Sequence, residues 1–162
     1  MISITEALAS ILISWIPDPK FAAQWGALVF QWPLTVEQLM SRQEQHDVTS
    51  LCLMNLDEPI GFIEIVEESP QECRLCRIII SPQYRGQGLG VNLLKRSLIY
   101  ISSHYPSMQK VSLAVFEHNN SARHCYESVG FSYTDKISSR QVGDEDWTLL
   151  HMTKAIEDAR NV

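Results

Sequence analysis

Ten residues carry the most specific chemistry in the sequence: Ser81-Pro82-Gln83-Tyr84-Arg85-Gly86-Gln87-Gly88-Leu89-Gly90. Glycine inside a helix costs about 0.5–1 kcal/mol relative to alanine, so alternating glycines where a helix should begin need a reason. Close approach of a ligand to the backbone is the usual one. A strand, a glycine loop and a helix start bring free N–H groups and the positive end of the helix dipole together, which makes an anion site. Arg85 adds a positive charge with several donors. Tight helix–strand packing is the competing use of such glycines, and it leaves the adjacent arginine unexplained. The anion is not the triphosphate of a Walker loop, because no Lys-Ser/Thr pair follows Gly90. A dinucleotide loop fits no better, since its third glycine would stand one place later.

Other residue types capable of chemistry are scattered. Within Ile60–Glu67 strand alternation puts Glu64 on one face with Ile60, Phe62 and Val66. A carboxylate held among apolar side chains suits a general base, and a salt bridge to Arg74 or Arg77 on the next strand is its alternative use. Glu117 and His118 close a later strand, where they either relay protons through water or sit solvated in a loop. Cys73 and Cys76 form a lone C-x-x-C, but on a strand they point to opposite faces, and no further Cys or His pair completes a metal site. No metal is expected. Cys52, Cys73, Cys76 and Cys125 read as free thiols in a reducing compartment.

The elements that must position these residues can be read from punctuation. Ile2–Ile16 is ambiguous between helix and strand, because a short apolar run has no decisive period. Asp18-Pro19 starts a helix over Lys20–Leu28, and Thr35 caps one over Val36–Gln45. Val48–Asn55 and Ile60–Glu67 form a hairpin, and Glu72–Ile80 is a third strand. Gly86–His104 is an amphipathic helix with Leu89, Leu93, Leu94, Leu98 and Ile101 on one stripe. Val111–Glu117 is a strand and Asn120–Val129 a helix stopped by Gly130. Phe131–Gln141 and Asp146–Thr153 close the chain as a hairpin. The strand before the glycine loop, the Gly86 helix and Val111–Glu117 make a central β-α-β unit.

The chain has 162 residues, of which 45% are hydrophobic and 20% charged, which fits a single α/β domain over 1–162. A net charge of −6 argues against a nucleic-acid partner. Ala7–Ile16 follows Glu6 and lacks the basic flank of a signal peptide, and no stretch reaches membrane-spanning length. A cytoplasmic protein with no membrane partner is expected.

Pro82–Gly90 resembles motif A of the GNAT superfamily of acyl-CoA-dependent N-acyltransferases, Q/R-x-x-G-x-G/A, met by Gln83…Gly86-x-Gly88. Asn119–Phe131 is similar to the N-x-x-A-x-x-x-Y-x-x-x-G-F of the same family, and the two stretches stand in the family's order. The resemblance covers Val48 to Thr153. It implies a mixed, mostly antiparallel sheet of six to seven strands flanked by about four helices. It also implies transfer of an acetyl group from acetyl-CoA, as co-substrate, to a primary amine of a small molecule or peptide. The amides of Arg85, Gly86, Gln87, Gly88, Leu89 and Gly90 then bind the pyrophosphate. Ile78, Ile79 and Ile80 pair with the pantetheine arm and supply an oxyanion donor. Asn119 and Ala122 touch the cofactor, and Tyr126, beside the CoA sulfur, is the general acid. Many relatives carry a glutamate on the strand before motif A, where this chain has Cys73-Arg74-Leu75-Cys76-Arg77. Glu64 is therefore the base to consider, and an acyl-CoA-binding module without chemistry is the alternative function. The aromatic residues Trp15, Phe21, Trp25, Phe30 and Trp32 belong to the region that walls the acceptor in the family, and core packing explains most of them equally well. Asp144, Glu145 and Asp146 either attract a cationic acceptor or form a solvated turn. Oligomeric state stays open, with a homodimer among the options.

Overall fold

The computed structural model describes residues 1–26 and 29–156. Seven strands form one sheet: β1 (Ile2–Ser3), β2 (Val48–Asn55), β3 (Glu58–Ser69), β4 (Glu72–Ile80), β5 (Lys110–Phe116), β6 (Ser132–Val142) and β7 (Glu145–Ala155). Five α-helices accompany it: α1 (Glu6–Ser14), α2 (Pro19–Gly26), α3 (Val36–Gln43), α4 (Leu89–His104) and α5 (Asn120–Val129). The strand order is β1-β2-β3-β4-β5-β7-β6, and β4–β5 is its parallel pair, the others being antiparallel. This is the mixed, mostly antiparallel α/β sheet that the sequence implies. Among the described residues no helix is long and apolar enough to cross a membrane.

The ambiguous N-terminal run divides into a short strand and a helix. Thr5 makes the division: in extended conformation, its side chain accepts from the Leu8 amide at 3.3 Å, an N-cap that starts α1. Asp18 and Thr35 act in the same way, accepting from Phe21 N at 2.8 Å and Gln38 N at 3.3 Å. The expected end of the second helix, at Leu28, lies outside the described residues.

The helix after the glycine loop begins at Leu89, not Gly86. Gly86 and Gly88 adopt φ of +76° and +77°, left-handed values that end any helical path and that side-chain-bearing residues avoid. The first intrahelical bond runs from Asn92 N to Gly88 O at 3.3 Å, so the amides of Leu89, Gly90 and Val91 have no acceptor within the helix.

The sheet has two differently covered faces. On one, α4 and α5 bury Leu93, Leu94, Ile101 and Tyr126 against Ile63, Ile65, Leu75, Val111, Leu113 and Met152. Each fully buried leucine or isoleucine there contributes about 1.5–3 kcal/mol. On the other, α1 and α3 pack Leu8, Leu12 and Leu39 on Cys52, Phe62 and Ile79. Ile60 departs from the alternation expected of it. The register shifts near Leu53/Met54 and sends Ile60 to the α4 side, away from Phe62.

Gly61 marks where this packing is tightest. A Cβ there would stand 3.1 Å from Ile80 Cδ1, 3.3 Å from Leu93 Cδ2 and 3.4 Å from the Ile79 carbonyl oxygen. Gly61→Ala is expected to destabilise the fold by about 1–3 kcal/mol through overpacking, read from urea denaturation midpoints at unchanged m-value.

Candidate functional site

The sheet opens along its middle. β4 and β5 are paired from Glu72–Arg74 to Lys110–Ser112 and diverge beyond that point. β4 stays bonded to β3 as far as Ile80, and β5 to β7 as far as Phe116. From Leu75 to Ile80 and from Leu113 to Phe116 the two strands therefore each face the gap with a row of backbone groups that has no strand partner among the described residues. A cavity of about 1050 Å³ follows this gap. Its lining includes Cys76–Ile79 from β4, Ala114–Phe116 from β5, His118–Ser121, and Tyr126 from α5.

A bulge shapes the β4 side. Phe62 faces Ile79 and Glu64 faces Cys76, so Arg77 and Ile78 together oppose Ile63. Arg77 sits at φ +51°, left-handed for a residue with a side chain, at a cost of about 1–3 kcal/mol. Two contacts hold it. The Trp25 indole N–H donates to the Arg77 carbonyl at 2.9 Å, and the guanidinium Nε lies 2.6 Å from Glu64 Oε2. Glu64 is fully buried, and its other oxygen accepts from Arg42 Nε at 2.9 Å. The Arg77 Nε–H is not aimed along its contact, and neither that atom nor Glu64 Oε2 has another hydrogen-bond partner. Charge rather than alignment binds this half of the triad. Arg74 takes Glu68 at 3.2 Å instead of Glu64.

Tyr126 reaches the cavity from α5 and is almost wholly buried. Burial pushes its hydroxyl well above the ordinary tyrosine value, with lesser contributions from Cys125 and Cys76, so the group stays protonated. Asn119 stands at the mouth and caps α5, accepting from Ala122 N at 3.3 Å. Ala122 itself is partly buried against the α4–α5 core and does not line the cavity.

The glycine loop, Arg85 to Gly90, lies beyond the end of β4 and outside the cavity lining. A Cβ at Gly86 or Gly88 would meet nothing within 4 Å, so the space over the loop is open. Gly90 is different: its Cβ would stand 3.2 Å from Cys125 Sγ, and this glycine serves α4–α5 contact. The Arg85 side chain is not held over the loop. Its Nε donates to the Ile80 carbonyl at 3.1 Å and its guanidinium lies 5.7 Å from the Phe21 ring. The Gln87 amide reaches back to Gln83 O at 3.4 Å, and Leu89 packs on the core.

The remaining residues sort plainly. Phe21 and Trp25 line the cavity, Trp15 is core, and Trp32 is exposed. His118 lines the cavity and packs edge-on to Trp147 at 4.6 Å. Asp144, Glu145 and Asp146 lie outside the lining, with Glu145 accepting from the Trp147 indole at 2.8 Å. Burial raises Cys52 and Cys73 to about 12, in keeping with inert thiols. Among the described residues no cluster of His, Cys, Asp or Glu could hold a metal ion. Arg42 and Arg140 are cavity residues that the sequence reading passed over.

The sequence model described as the acetyltransferase (GNAT) family matches residues 12–131. The chain belongs to the GNAT acetyltransferase family. Similar sequences include the mycothiol acetyltransferase of Corynebacterium glutamicum strain R, 28% identical over 124 residues, which are 75% of this chain and 41% of that protein. The spermidine N(1)-acetyltransferase of Escherichia coli K12 is 36% identical over 81 residues, 49% of this chain and 43% of that protein. The match thus spans about two fifths of each relative's length. In fold, this GNAT chain is similar to the spermidine N-acetyltransferase of Vibrio cholerae solved with CoA and spermine. The TM-score is 0.80 at 16% identity, covering 96% of this chain and 94% of that one.

The Arg42–Glu64–Arg77 triad is a direct target. Glu64→Ala leaves two arginines without their carboxylate, and a loss of about 3–5 kcal/mol is expected, measured by denaturant unfolding. A change under 1 kcal/mol shows that the triad does not hold the bulge.

Proposed function

We propose that the chain transfers an acetyl group from acetyl-CoA to an amine by direct attack. The observation that carries this is the open sheet of a GNAT member with a neutral, buried tyrosine at the gap and a glycine-turned helix start beyond it. CoA fits these residues. The free amides of the first turn of α4 and the open space over Gly86 and Gly88 suit its pyrophosphate. The unpaired edge of β4 over Ile78–Ile80 suits the amides of its arm. Asn119, at the mouth, meets the same arm, and Ala122 supports it through the α5 cap.

In the reaction the amine nitrogen attacks the thioester carbonyl, the C–S bond breaks, and the sulfur takes a proton from Tyr126. An N–H of the β4 edge stabilises the oxyanion. Glu64, shared by two arginines, positions the bulge and does not take the proton. The amine's proton leaves through water at the mouth, where His118 stands, and a proton returned from water restores Tyr126 once the products depart.

The enclosure of Glu64 is also what favours the second function, an acyl-CoA-binding module without chemistry. Thioester consumption with a panel of amines, set beside equilibrium binding of acetyl-CoA, separates the two. Binding without consumption by any amine leaves the binding module.

Tyr126→Phe is expected to lower kcat about 100-fold or more while the acetyl-CoA dissociation constant stays within about twofold. Because burial raises this hydroxyl, wild type should show no alkaline fall of kcat below about pH 10. Near-normal turnover in the phenylalanine variant removes Tyr126 from the chemistry.

A further inference from the structure

One face of the β5–β7–β6 half of the sheet turns to the cavity, and its arginine there is unpaired among the described residues, the Glu145 carboxylate of the same face being taken by the Trp147 indole. Ala114 pairs with His151, Phe116 with Leu149, Leu149 with Ser138, and Trp147 with Arg140, so alternation puts these side chains on a common face. Arg140 lines the cavity, half-buried, 5.4 Å from the Phe116 ring, and makes no ion pair among the described residues. Burial first, and then Arg77 and Arg74, push its guanidinium below the ordinary arginine value. His151 feels the same field: burial, Lys136 and Arg74 all lower it. Across the gap, Arg42 and Arg77 share the single carboxylate of Glu64, which leaves one positive charge over. A half-buried guanidinium with no ion-pair partner among the described residues, beside a triad that carries one net positive charge, has given up part of its solvation with only the Phe116 ring in return.

The cavity also has carboxylates, and their place matters. Asp47, Glu67 and Glu68 line its far end, where Glu67 N donates to Asp47 O at 2.8 Å and Glu68 is paired with Arg74 at 3.2 Å. Glu67 faces Cys73, four residues along β4 from Arg77, or about 13 Å at strand rise. None of them forms an ion pair with Arg140. A polyamine would have to place positive charge beside that guanidinium.

We propose that the acceptor amine carries an anionic group, a carboxylate or a phosphate, and that Arg140, with the surplus charge of Arg77, receives it. This rests on the acetyl-transfer function above and names its substrate class. Arginine's planar fork suits either anion in a two-point contact.

The test offers matched amines to the acetyl-CoA-saturated protein: β-alanine against β-alanine amide, O-phosphoethanolamine against ethanolamine, and spermidine. Thioester loss and equilibrium binding of each amine are both recorded, so that the inference is decided even where no amine turns over. In wild type at least one anionic member has a KM or Kd about tenfold or more below that of its neutral partner, and the two pairs tell carboxylate from phosphate. Arg140→Gln brings that ratio near one and Arg140→Lys keeps part of it, with CoA affinity as the control for folding. The proposal is overturned if neither pair differs, if spermidine is preferred, or if Arg140→Gln leaves the ratio as it was. Turnover of neutral amines alone overturns this inference and leaves acetyl transfer standing. Absence of thioester loss with a clear anion preference in binding does the reverse.

Discussion

A sheet that separates in its middle has to answer for the hydrogen bonds it gives up. β4 and β5 meet at only three positions on each strand before diverging, and everything distinctive about the molecule follows from that divergence. Unpaired backbone groups inside a fold are costly unless something satisfies them. Here part of the answer is internal: the Trp25 indole takes the Arg77 carbonyl, and the Arg85 guanidinium takes the Ile80 carbonyl. The rest of the edge is left to whatever occupies the gap. In a member of the GNAT family that occupant, on the proposed function, is an amide-bearing arm, which matches a strand edge better than water does.

The gap is kept open by charge as much as by packing. Arg77 holds a left-handed backbone that its side chain disfavours, and Glu64 is the partner that compensates. A carboxylate with no solvent exposure has lost its hydration, and two guanidiniums answer that loss. The sequence offered this carboxylate two uses, as a base and as an ion-pair partner. In this geometry both oxygens face arginines, which is the ion-pair use. Arg42, from α3, is the partner that sequence gave no means of naming. Its helix was legible from the Thr35 cap, but the side of the sheet onto which that helix folds was not.

Legibility tracked local punctuation. β2, β4 and α5 begin and end where turn residues, prolines, the Asn119 cap and Gly130 place them. Two misplacements came from glycine. The helix expected from Gly86 starts at Leu89 because two left-handed glycines precede it, and Ile60 changes face because the register slips beside Gly61. Both are backbone events that residue type signals without fixing their extent. The N-terminal run stayed ambiguous because period alone cannot separate a short helix from a strand, and a single threonine cap resolves it. In the candidate site, the residues proposed to act through their backbone are the readable ones: glycines and an asparagine cap advertise themselves by spacing. Arg140, from a strand that pairs at the far end of the sheet, has no such signal.

That asymmetry bears on the chemistry. A lysine-like amine has a pKa of about 10.4 and must lose a proton before it can attack, which is the usual case for a side-chain base. Surplus arginine charge acts on the same equilibrium from the other side, since nearby cations disfavour the ammonium form. Burial first, and then neighbouring cations, already lower Arg140 in the cavity and His151 on the same sheet face. On the proposed function, surplus arginine charge would also stabilise negative charge developing on the thioester oxygen and on the departing sulfur. An amine tethered by an anionic group to Arg140 would enter that field with its charge offset, and water at the mouth would then suffice to carry the proton away. On the proposed function, the arginines of β4 would thereby reduce the need for a carboxylate base there.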